Sequence, residues 1–210
     1  MEYYKALQLY YEKCLEEHGA TAKGMDWPNP EDLVRRFNVL MDIAQSGNKV
    51  SLLDLGCGVG LLVDHLGEKT LLDRFEYTGA DISPKMIAVA RERHPSHSFE
   101  VRDTLINPYG KDRFDYVLMN GVLTEKHGMS QSQMIEFAKE IIQNAYQSCK
   151  YGVAFNIMSS HVDWKREDLF HWELDDIVSF MVKNCSRKIR IMMDYGLYEY
   201  TVHLKKEHGN

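Results

Sequence analysis

Three glycines on alternate positions follow a short apolar run that ends beside an acidic residue. The run covers residues 50–55, and Asp54 is followed by Gly56, Gly58 and Gly60. A continuous apolar run of this length is typical of a central parallel strand that is covered on both faces. Glycine allows positive φ and close backbone approach where a chain leaves such a strand and enters a helix. The pattern therefore predicts a strand, a tight turn and a helix beside a bound nucleoside.

The same glycines begin the fingerprint of dinucleotide-binding folds, G-x-G-x-x-G, but they do not complete it. Leu61 stands where the last glycine of that fingerprint belongs, and the third glycine comes one residue early. The carboxylate of Asp54 at the strand end repels a pyrophosphate and suits a cationic ligand. The segment therefore favours a nucleoside with positive charge, such as the sulfonium and amino group of S-adenosylmethionine.

Residues 54–60 resemble the first motif of the class I (Rossmann-like) S-adenosylmethionine-dependent methyltransferases, D/E-x-G-x-G-x-G. Residues 77–83 are similar to the second strand of that family, and Asp81 lies 27 positions after Asp54, about one strand-helix-strand unit. Residues 99–103 resemble the third strand, and residues 114–121 resemble the fourth. The resemblance implies S-adenosylmethionine as cofactor and S-adenosylhomocysteine as product.

The resemblance also implies roles for the residues at these strand ends. Asp81 matches the acid that accepts the ribose hydroxyls, Asp103 matches the residue near the adenine amino group, and the backbone of residues 120–121 matches the part that meets the methionine moiety. Related enzymes often use an arginine before the first strand to clamp the cofactor carboxylate, and Arg36 is the better-placed candidate. The alternative is that Arg36 is a surface arginine whose aliphatic part is buried and whose charged group reaches solvent. The expected cofactor-binding residues are Arg36, Asp54, Gly56, Gly58, Gly60, Asp81, Ile82, Met86, Asp103, Thr104, Asn120 and Gly121.

The order of elements predicts an α/β fold with three layers. We expect a seven-stranded, mostly parallel sheet with an antiparallel C-terminal hairpin strand, and helices on both faces. Capping patterns predict helix starts at Asn29–Pro30, at Ser83–Pro84 and at Ser130 with Gln133. The chain is interpreted as one methyltransferase domain with an N-terminal helical cap (1–48), a cofactor-binding core (49–158), a substrate-side insertion and helix (159–188) and a terminal hairpin (189–206).

The acceptor is expected to be a small metabolite. Family variants that methylate a nucleobase nitrogen or a protein glutamine carry an Asn-Pro-Pro-Tyr-like tetrad after the fourth strand, where this chain reads N-G-V-L. No cysteine follows a proline, so the Pro-Cys nucleophile of cytosine C5 methylation is absent. The insertion at residues 159–171 mixes aromatic and cationic side chains, which favours an anionic or sugar-like acceptor at an O or N atom.

Two histidines follow the fourth and fifth strands closely enough to face the methyl group. His127 and His161 are therefore the expected catalytic residues, with a structural role as the alternative for each, because geometry decides which group is a general base. The expected substrate contacts are Tyr4, Tyr11, Trp27, Trp164, Lys165 and His171. For the N-terminal tyrosines the alternatives are core packing and a lid over the pocket, and for the insertion the alternative is a solvated surface.

Composition bounds the location and the partners. The chain has 210 residues with 44% hydrophobic content, enough for one core, and no stretch approaches the roughly 18 apolar residues of a membrane helix. The N-terminus lacks a secretory pattern, and four cysteines without C-x-x-C spacing predict reduced thiols, a cytoplasmic location and no metal site. A net charge of −6 without a basic run argues against nucleic acid. We expect a monomer or homodimer.

Three functions are compatible with these patterns. The first is an S-adenosylmethionine-dependent O- or N-methyltransferase for a small metabolite. The second is an NAD(P)-binding Rossmann oxidoreductase, and the third is a methyltransferase-like binding protein without turnover. The intact acidic residues and glycines favour the first.

Overall fold

The computed structural model describes residues 3–44 and 49–207. Residues 1–2 and 45–48 of the predicted cap, and residues 208–210 of the predicted domain, lie outside the described residues. The helices of the described chain are α1 (Lys5–His18), α2 (Pro30–Met41), α3 (Leu61–Glu68), α4 (Pro84–Arg93), α5 (Gln131–Ser148) and α6 (Leu174–Asn184). Its strands are β1 (Val50–Leu55), β2 (Phe75–Asp81), β3 (Ser98–Val101), β4 (Phe114–Leu123), β5 (Cys149–Ser159), β6 (His171–Trp172), β7 (Ile189–Met192) and β8 (Glu199–Lys205).

The strands form one sheet in the order β3-β2-β1-β4-β5-β8-β7, and β6 pairs with the end of β5. All pairs from β3 to β5 are parallel, whereas β8 is antiparallel to both β5 and β7. The α/β class and the antiparallel terminal strand are therefore confirmed. The two-residue strand β6 is an addition to the predicted seven, because the insertion folds back and pairs His171 with Met158.

Two hydrophobic clusters cover the two faces of the sheet. Leu52 of β1 belongs to the cluster built with α2, α3 and α4, whereas Leu53 and Leu55 belong to the cluster built with α5 and α6. Alternate residues of a strand point to opposite faces, so a run that is apolar on both faces is buried on both. The helices therefore form the two outer layers that the strand sequence predicts.

The predicted helix starts are confirmed. The side chain of Asn29 accepts a hydrogen bond from the backbone of Glu31, and Ser83 caps α4 through the N–H of Met86. Ser130 and Gln133 form a reciprocal capping box at α5. Because α4 begins directly after β2, its cap fixes the chain next to Asp81.

The sheet order reverses between β1 and β4, so the loops after these neighbouring strands diverge and leave a crevice at their carboxyl ends. Residues 3–29, which hold α1, a short 3₁₀ turn at Lys23–Met25 and irregular chain, lie across that crevice. Among the described helices, none has the length and apolar content needed to cross a membrane.

Candidate active site

A cavity occupies the crevice at the carboxyl ends of β1, β2 and β4. It encloses about 1200 Å³ of empty space, including the part open to solvent. The residues expected to bind cofactor or substrate that line its wall are Tyr4, Tyr11, Trp27, Asp54, Gly56, Gly58, Asp81, Ile82, Met86, Asp103, Thr104, Asn120 and Gly121. The sheet topology thus brings together residues that are more than one hundred positions apart in the sequence.

The loop after β1 depends on glycine for its backbone conformation and its close packing. Gly56 and Gly58 have φ values of 80° and 52°, a region that side-chain-bearing residues rarely adopt. A Cβ on Gly56 would lie 2.4 Å from a methyl carbon of Val122, and one on Gly58 would lie 2.7 Å from the sulfur of Met25. Both positions therefore require glycine, and both lie on the cavity wall.

The carboxylate of Asp81 is held in place by backbone donors. The N–H of Gly58 donates to one oxygen at 2.9 Å, and the N–H of Ser83 donates to the other at 2.8 Å. Burial raises the pKa of Asp81, although these two hydrogen bonds oppose the rise. Asp81 therefore has a fixed orientation at the end of β2, on the cavity wall.

Asp54 is buried under the cavity floor, with 3% of its surface exposed. The hydroxyl of Tyr77 donates to it at 2.8 Å. Burial raises the pKa of Asp54 to about 7; the Tyr77 hydrogen bond opposes this rise and the charge of Asp81 adds to it. Four carboxylates therefore line the floor and wall of one cavity, because Asp103 and Glu125 are also on its wall.

The N-terminal segment is attached across the cavity by tyrosine hydroxyls. Tyr4 donates to Asp103 at 2.8 Å, and Tyr11 donates to Glu125 at 2.9 Å. Tyr4 also stacks on Phe137, with ring centroids 5.5 Å apart. Core packing and a lid over the pocket were the two alternatives for these tyrosines. The structure combines them, because the rings pack on neighbouring side chains and also line the cavity.

Glu125 is a site residue that sequence reasoning missed. It lies on the cavity wall, accepts the Tyr11 hydrogen bond, and its Oε2 is 2.7 Å from Nε2 of His127. The ring of Tyr10 stacks on His127 at a centroid distance of 3.6 Å. His127 itself is not on the wall, so it acts on the cavity only through Glu125. The available signal was an acidic residue two positions before the predicted histidine.

Asp26 joins this cluster and had also been missed. One ligand-type atom from each of Asp26, Glu125 and His127 lies within 4.8 Å of the others. The hydroxyl of Tyr10 donates to Asp26 at 2.8 Å. Burial raises the pKa of Asp26, and the negative charge of Glu125 raises it further.

Arg36 is placed differently from the expectation of a cofactor clamp. Its Nε donates to both carboxylate oxygens of Glu199, at 3.0 and 2.9 Å, and its guanidinium lies 4.3 Å from the ring centre of Trp27. The Glu199 side chain is fully buried and also accepts from Asn156 at 3.2 Å. Arg36 is not among the residues that line the cavity, and its Nε is directed to Glu199.

Gly60 also lies off the cavity wall. Its φ of 83° starts α3, and a Cβ there would lie 2.8 Å from the ring of His94. Gly60 therefore allows the close approach of α4 to the loop, which is a packing role.

The insertion residues do not line the cavity. Trp164 packs on Tyr198 with centroids 5.7 Å apart, Lys165 lies 3.9 Å from Glu173, and Nδ1 of His171 is 2.6 Å from the carbonyl oxygen of Ser159. His161 is exposed beyond the end of β5. The expected substrate role of Trp164, Lys165 and His171, and the expected base role of His161, therefore have no support in this geometry. The insertion folds against β5 and β8 instead.

Comparison with known proteins identifies the domain. The family model described as Methyltransferase domain matches residues 53–155, which hold β1 to β5. The chain carries a class I methyltransferase domain. Enzymes of this class use S-adenosylmethionine as methyl donor, so the chain is an S-adenosylmethionine-dependent methyltransferase. This identification leaves the oxidoreductase hypothesis without support.

Similar proteins agree with the identification. A Mycobacterium tuberculosis protein named as a methyltransferase, Rv1506c, is 26% identical over 171 residues, covering 79% of this chain and 99% of that protein. The same fold occurs in the Burkholderia thailandensis 1,6-didemethyltoxoflavin-N1-methyltransferase, with TM-score 0.67, 14% identity, and coverage of 99% and 90% of the two chains. It also occurs in the Synechocystis magnesium protoporphyrin IX methyltransferase, with TM-score 0.64, 15% identity, and coverage of 98% and 97%.

Proposed function

We propose that the chain transfers a methyl group to an oxygen or nitrogen atom of a small metabolite that shares the cavity with the cofactor. The cavity fits S-adenosylmethionine because glycines form the loop beside it and its wall is rich in carboxylates, which complement a cationic ligand. Asp81 would hold the ribose hydroxyls, Asp103 would lie toward the adenine, and the backbone of residues 120–121 would lie toward the methionine moiety.

The acceptor would lie at the end of the cavity where α1 and the loop after β4 meet. Tyr11, Trp27 and Glu125 line this end, together with the apolar side chains of Leu7 and Val122. These residues enclose a mixed apolar and acidic space that is typical of small-molecule sites, where a few polar groups fix the orientation of the ligand. The toxoflavin and protoporphyrin enzymes named above act on small molecules, which is consistent with this proposal.

The observation that carries the proposal is the contact between Glu125 and His127 at the cavity wall. A bound cofactor supplies an electrophilic methyl group on its sulfonium sulfur. Glu125 is the basic group that a proton of the acceptor meets first, and His127 behind it can share that proton. The acceptor atom is therefore one that loses a proton during transfer, a hydroxyl or an amine, rather than an oxygen that is already ionised.

The remaining wall residues position the reactants and exclude water. Tyr4 and Tyr11 attach α1 over the cavity, while Met25 and Trp27 close it beside the loops after β1 and β4. Alignment of donor and acceptor at short distance accounts for much of the acceleration in an in-line displacement. Movement of the N-terminal segment would then admit both ligands.

The test is a methyl-transfer assay with labelled S-adenosylmethionine. Small-metabolite fractions, a tRNA pool and a peptide pool are incubated with the enzyme in parallel. The proposal predicts labelled product from a metabolite fraction, and robust labelling of tRNA or peptide would overturn it.

A further inference from the structure

One side-chain oxygen at the end of the cavity proposed for the methyl acceptor has no hydrogen-bond donor. Asn120 of β4 is one of the residues that line the cavity, and its Oδ1 atom is buried and has no hydrogen-bond partner among the described residues. A buried acceptor without a donor costs free energy, so its occurrence at a cavity wall indicates a ligand that supplies an N–H or O–H group. Glu125 is a second acceptor on the same wall.

The nearby side-chain donors are already used. The Tyr11 hydroxyl donates to Glu125, the Tyr4 hydroxyl donates to Asp103, and the amide nitrogen of Gln8 donates to Glu12 at 2.8 Å. These three wall donors are therefore engaged by carboxylates of the protein, whereas Oδ1 of Asn120 has no donor. A complementary ligand is rich in donors, and a protonated amine supplies up to three where a hydroxyl supplies one.

The charges at this end have the same sign. Burial raises the pKa of Asp26, and the negative charge of the nearby Glu125 raises it further. Neither carboxylate forms an ion pair with a lysine or arginine of the described residues. The guanidinium of Arg166 is paired with Asp168 through two hydrogen bonds, which raise the pKa of Arg166, and the charges of Glu125 and Asp26 add to that rise. His127 also has a ring nitrogen within 4.8 Å of oxygens of both carboxylates.

The other basic groups nearby are directed elsewhere. The ammonium of Lys126 donates to the carbonyl oxygen of Glu167, and Lys165 lies beside Glu173. Arg102, the one arginine on the cavity wall in the described chain, is bonded to Glu100 and stacked on Tyr109. The preference for an anionic acceptor was based on cations of the insertion, and these lie outside the cavity.

From these contacts we infer that the methyl acceptor is an amine, bound as an ammonium ion against Glu125 and Asn120 beside the aromatic rings of Tyr11 and Trp27. Carboxylates and aromatic faces together are the usual surroundings of an organic cation. An anionic acceptor would be repelled by Glu125 and Asp26. The inference rests on the proposed function and names the substrate class for the same cavity.

The chemistry balances with groups that are present. One N–H proton of the ammonium passes to the Glu125–His127 pair, which leaves a neutral nitrogen with a free electron pair. This electron pair of the nitrogen forms the new N–C bond as the bond between the methyl carbon and the sulfonium sulfur breaks. The sulfur keeps the electrons of the broken bond and becomes a neutral thioether. The proton then leaves Glu125 for solvent when the products leave.

The test uses a metabolite extract of the organism that encodes the chain, separated at neutral pH into cationic, neutral and anionic fractions. Each fraction is incubated with the full-length enzyme and methyl-labelled S-adenosylmethionine. The inference predicts at least tenfold more labelled product from the cationic fraction than from the others. Glu125→Gln should lower that signal by about 10²-fold, as expected for loss of a general base.

Controls separate failure of the inference from failure of the proposed function. Glu173→Gln makes the same chemical change at an exposed carboxylate that lies beside Lys165 outside the wall, and its labelling should match the parent enzyme. Calorimetric binding of S-adenosylhomocysteine to each variant shows that the fold is intact. Label confined to the neutral or anionic fraction would overturn the amine inference and leave the methyltransferase proposal standing. Label in no fraction would overturn both.

Discussion

Nε2 of His127 lies 2.7 Å from Oε2 of Glu125, and of these two residues only Glu125 faces the cavity. The tyrosine ring stacked on His127 fixes the imidazole behind the carboxylate. In the proposed reaction the proton would pass from the acceptor to Glu125 and then toward His127. The histidine predicted from the sequence would then have a supporting role, and the carboxylate beside it the direct one.

Removing the carboxylate should slow turnover and leave cofactor binding intact. Glu125→Gln keeps the size of the side chain but removes its basicity, so kcat should fall by about 10²-fold or more. His127→Asn should cost less than that, because Glu125 remains at the wall. Initial rates at saturating S-adenosylmethionine and calorimetry with S-adenosylhomocysteine measure the two effects. A Glu125→Gln enzyme with the parent kcat would refute the assigned role.

The Arg36–Glu199 pair should contribute to stability rather than to cofactor affinity. Arg36→Met leaves a fully buried carboxylate without its cation, and breaking a buried pair in this way typically costs about 3–5 kcal/mol of unfolding free energy. The double variant Arg36→Met/Glu199→Leu removes both charges and should recover much of this loss. Urea unfolding measures the change.

The neighbouring Arg35 offers a matched control. It is largely exposed and lies 3.6 Å from Asp32, so Arg35→Met should change the free energy of unfolding by less than about 1 kcal/mol. If Arg36→Met were as stable as the parent but bound S-adenosylhomocysteine more weakly, Arg36 would be the cofactor clamp after all.

Asp54 should make the ligand-free protein less stable as pH rises. Its folded-state pKa of about 7 lies above the usual value for an aspartic acid, because the carboxyl is buried. The folded state therefore binds a proton more tightly than the unfolded state does. The stability that this proton contributes is fully present below about pH 4 and is lost as pH rises toward 7.

Asp54→Asn removes that titration and supplies the comparison. The free energy of unfolding of the variant minus that of the parent should be larger at pH 8 than at pH 5. Urea unfolding of both proteins at the two pH values measures the change. A difference that is the same at both values would show that the pKa of Asp54 is unshifted in the folded protein.

The sequence predicted the core of the fold and the floor of the site well. Strand ends at Asp54 and Asp81 follow from local apolar runs and caps, and parallel strands must bring such ends to one edge of the sheet. These are consequences of short segments, which a sequence displays directly. Gly56 and Gly58 line the cavity for the same reason.

The acceptor side could not be read in the same way. The partnership of Glu125 with Tyr11 joins positions 114 residues apart, and that of Arg36 with Glu199 joins positions 163 apart. Such contacts depend on how α1 and α2 pack on the sheet, and no periodic pattern records that packing. The cationic insertion was misleading because residue types do not show that Lys165 and Arg166 have acidic partners of their own.

The measurement that most directly tests the central claim is calorimetric titration of S-adenosylhomocysteine into the parent enzyme and into Asp81→Asn, which retains the shape of the side chain. The parent should bind one molecule per chain. The variant should bind more weakly by about 2 kcal/mol or more, because charge-assisted hydrogen bonds to the ribose are lost. Equal affinity in both proteins would contradict the assigned site. No binding by the parent at millimolar ligand would contradict the account as a whole.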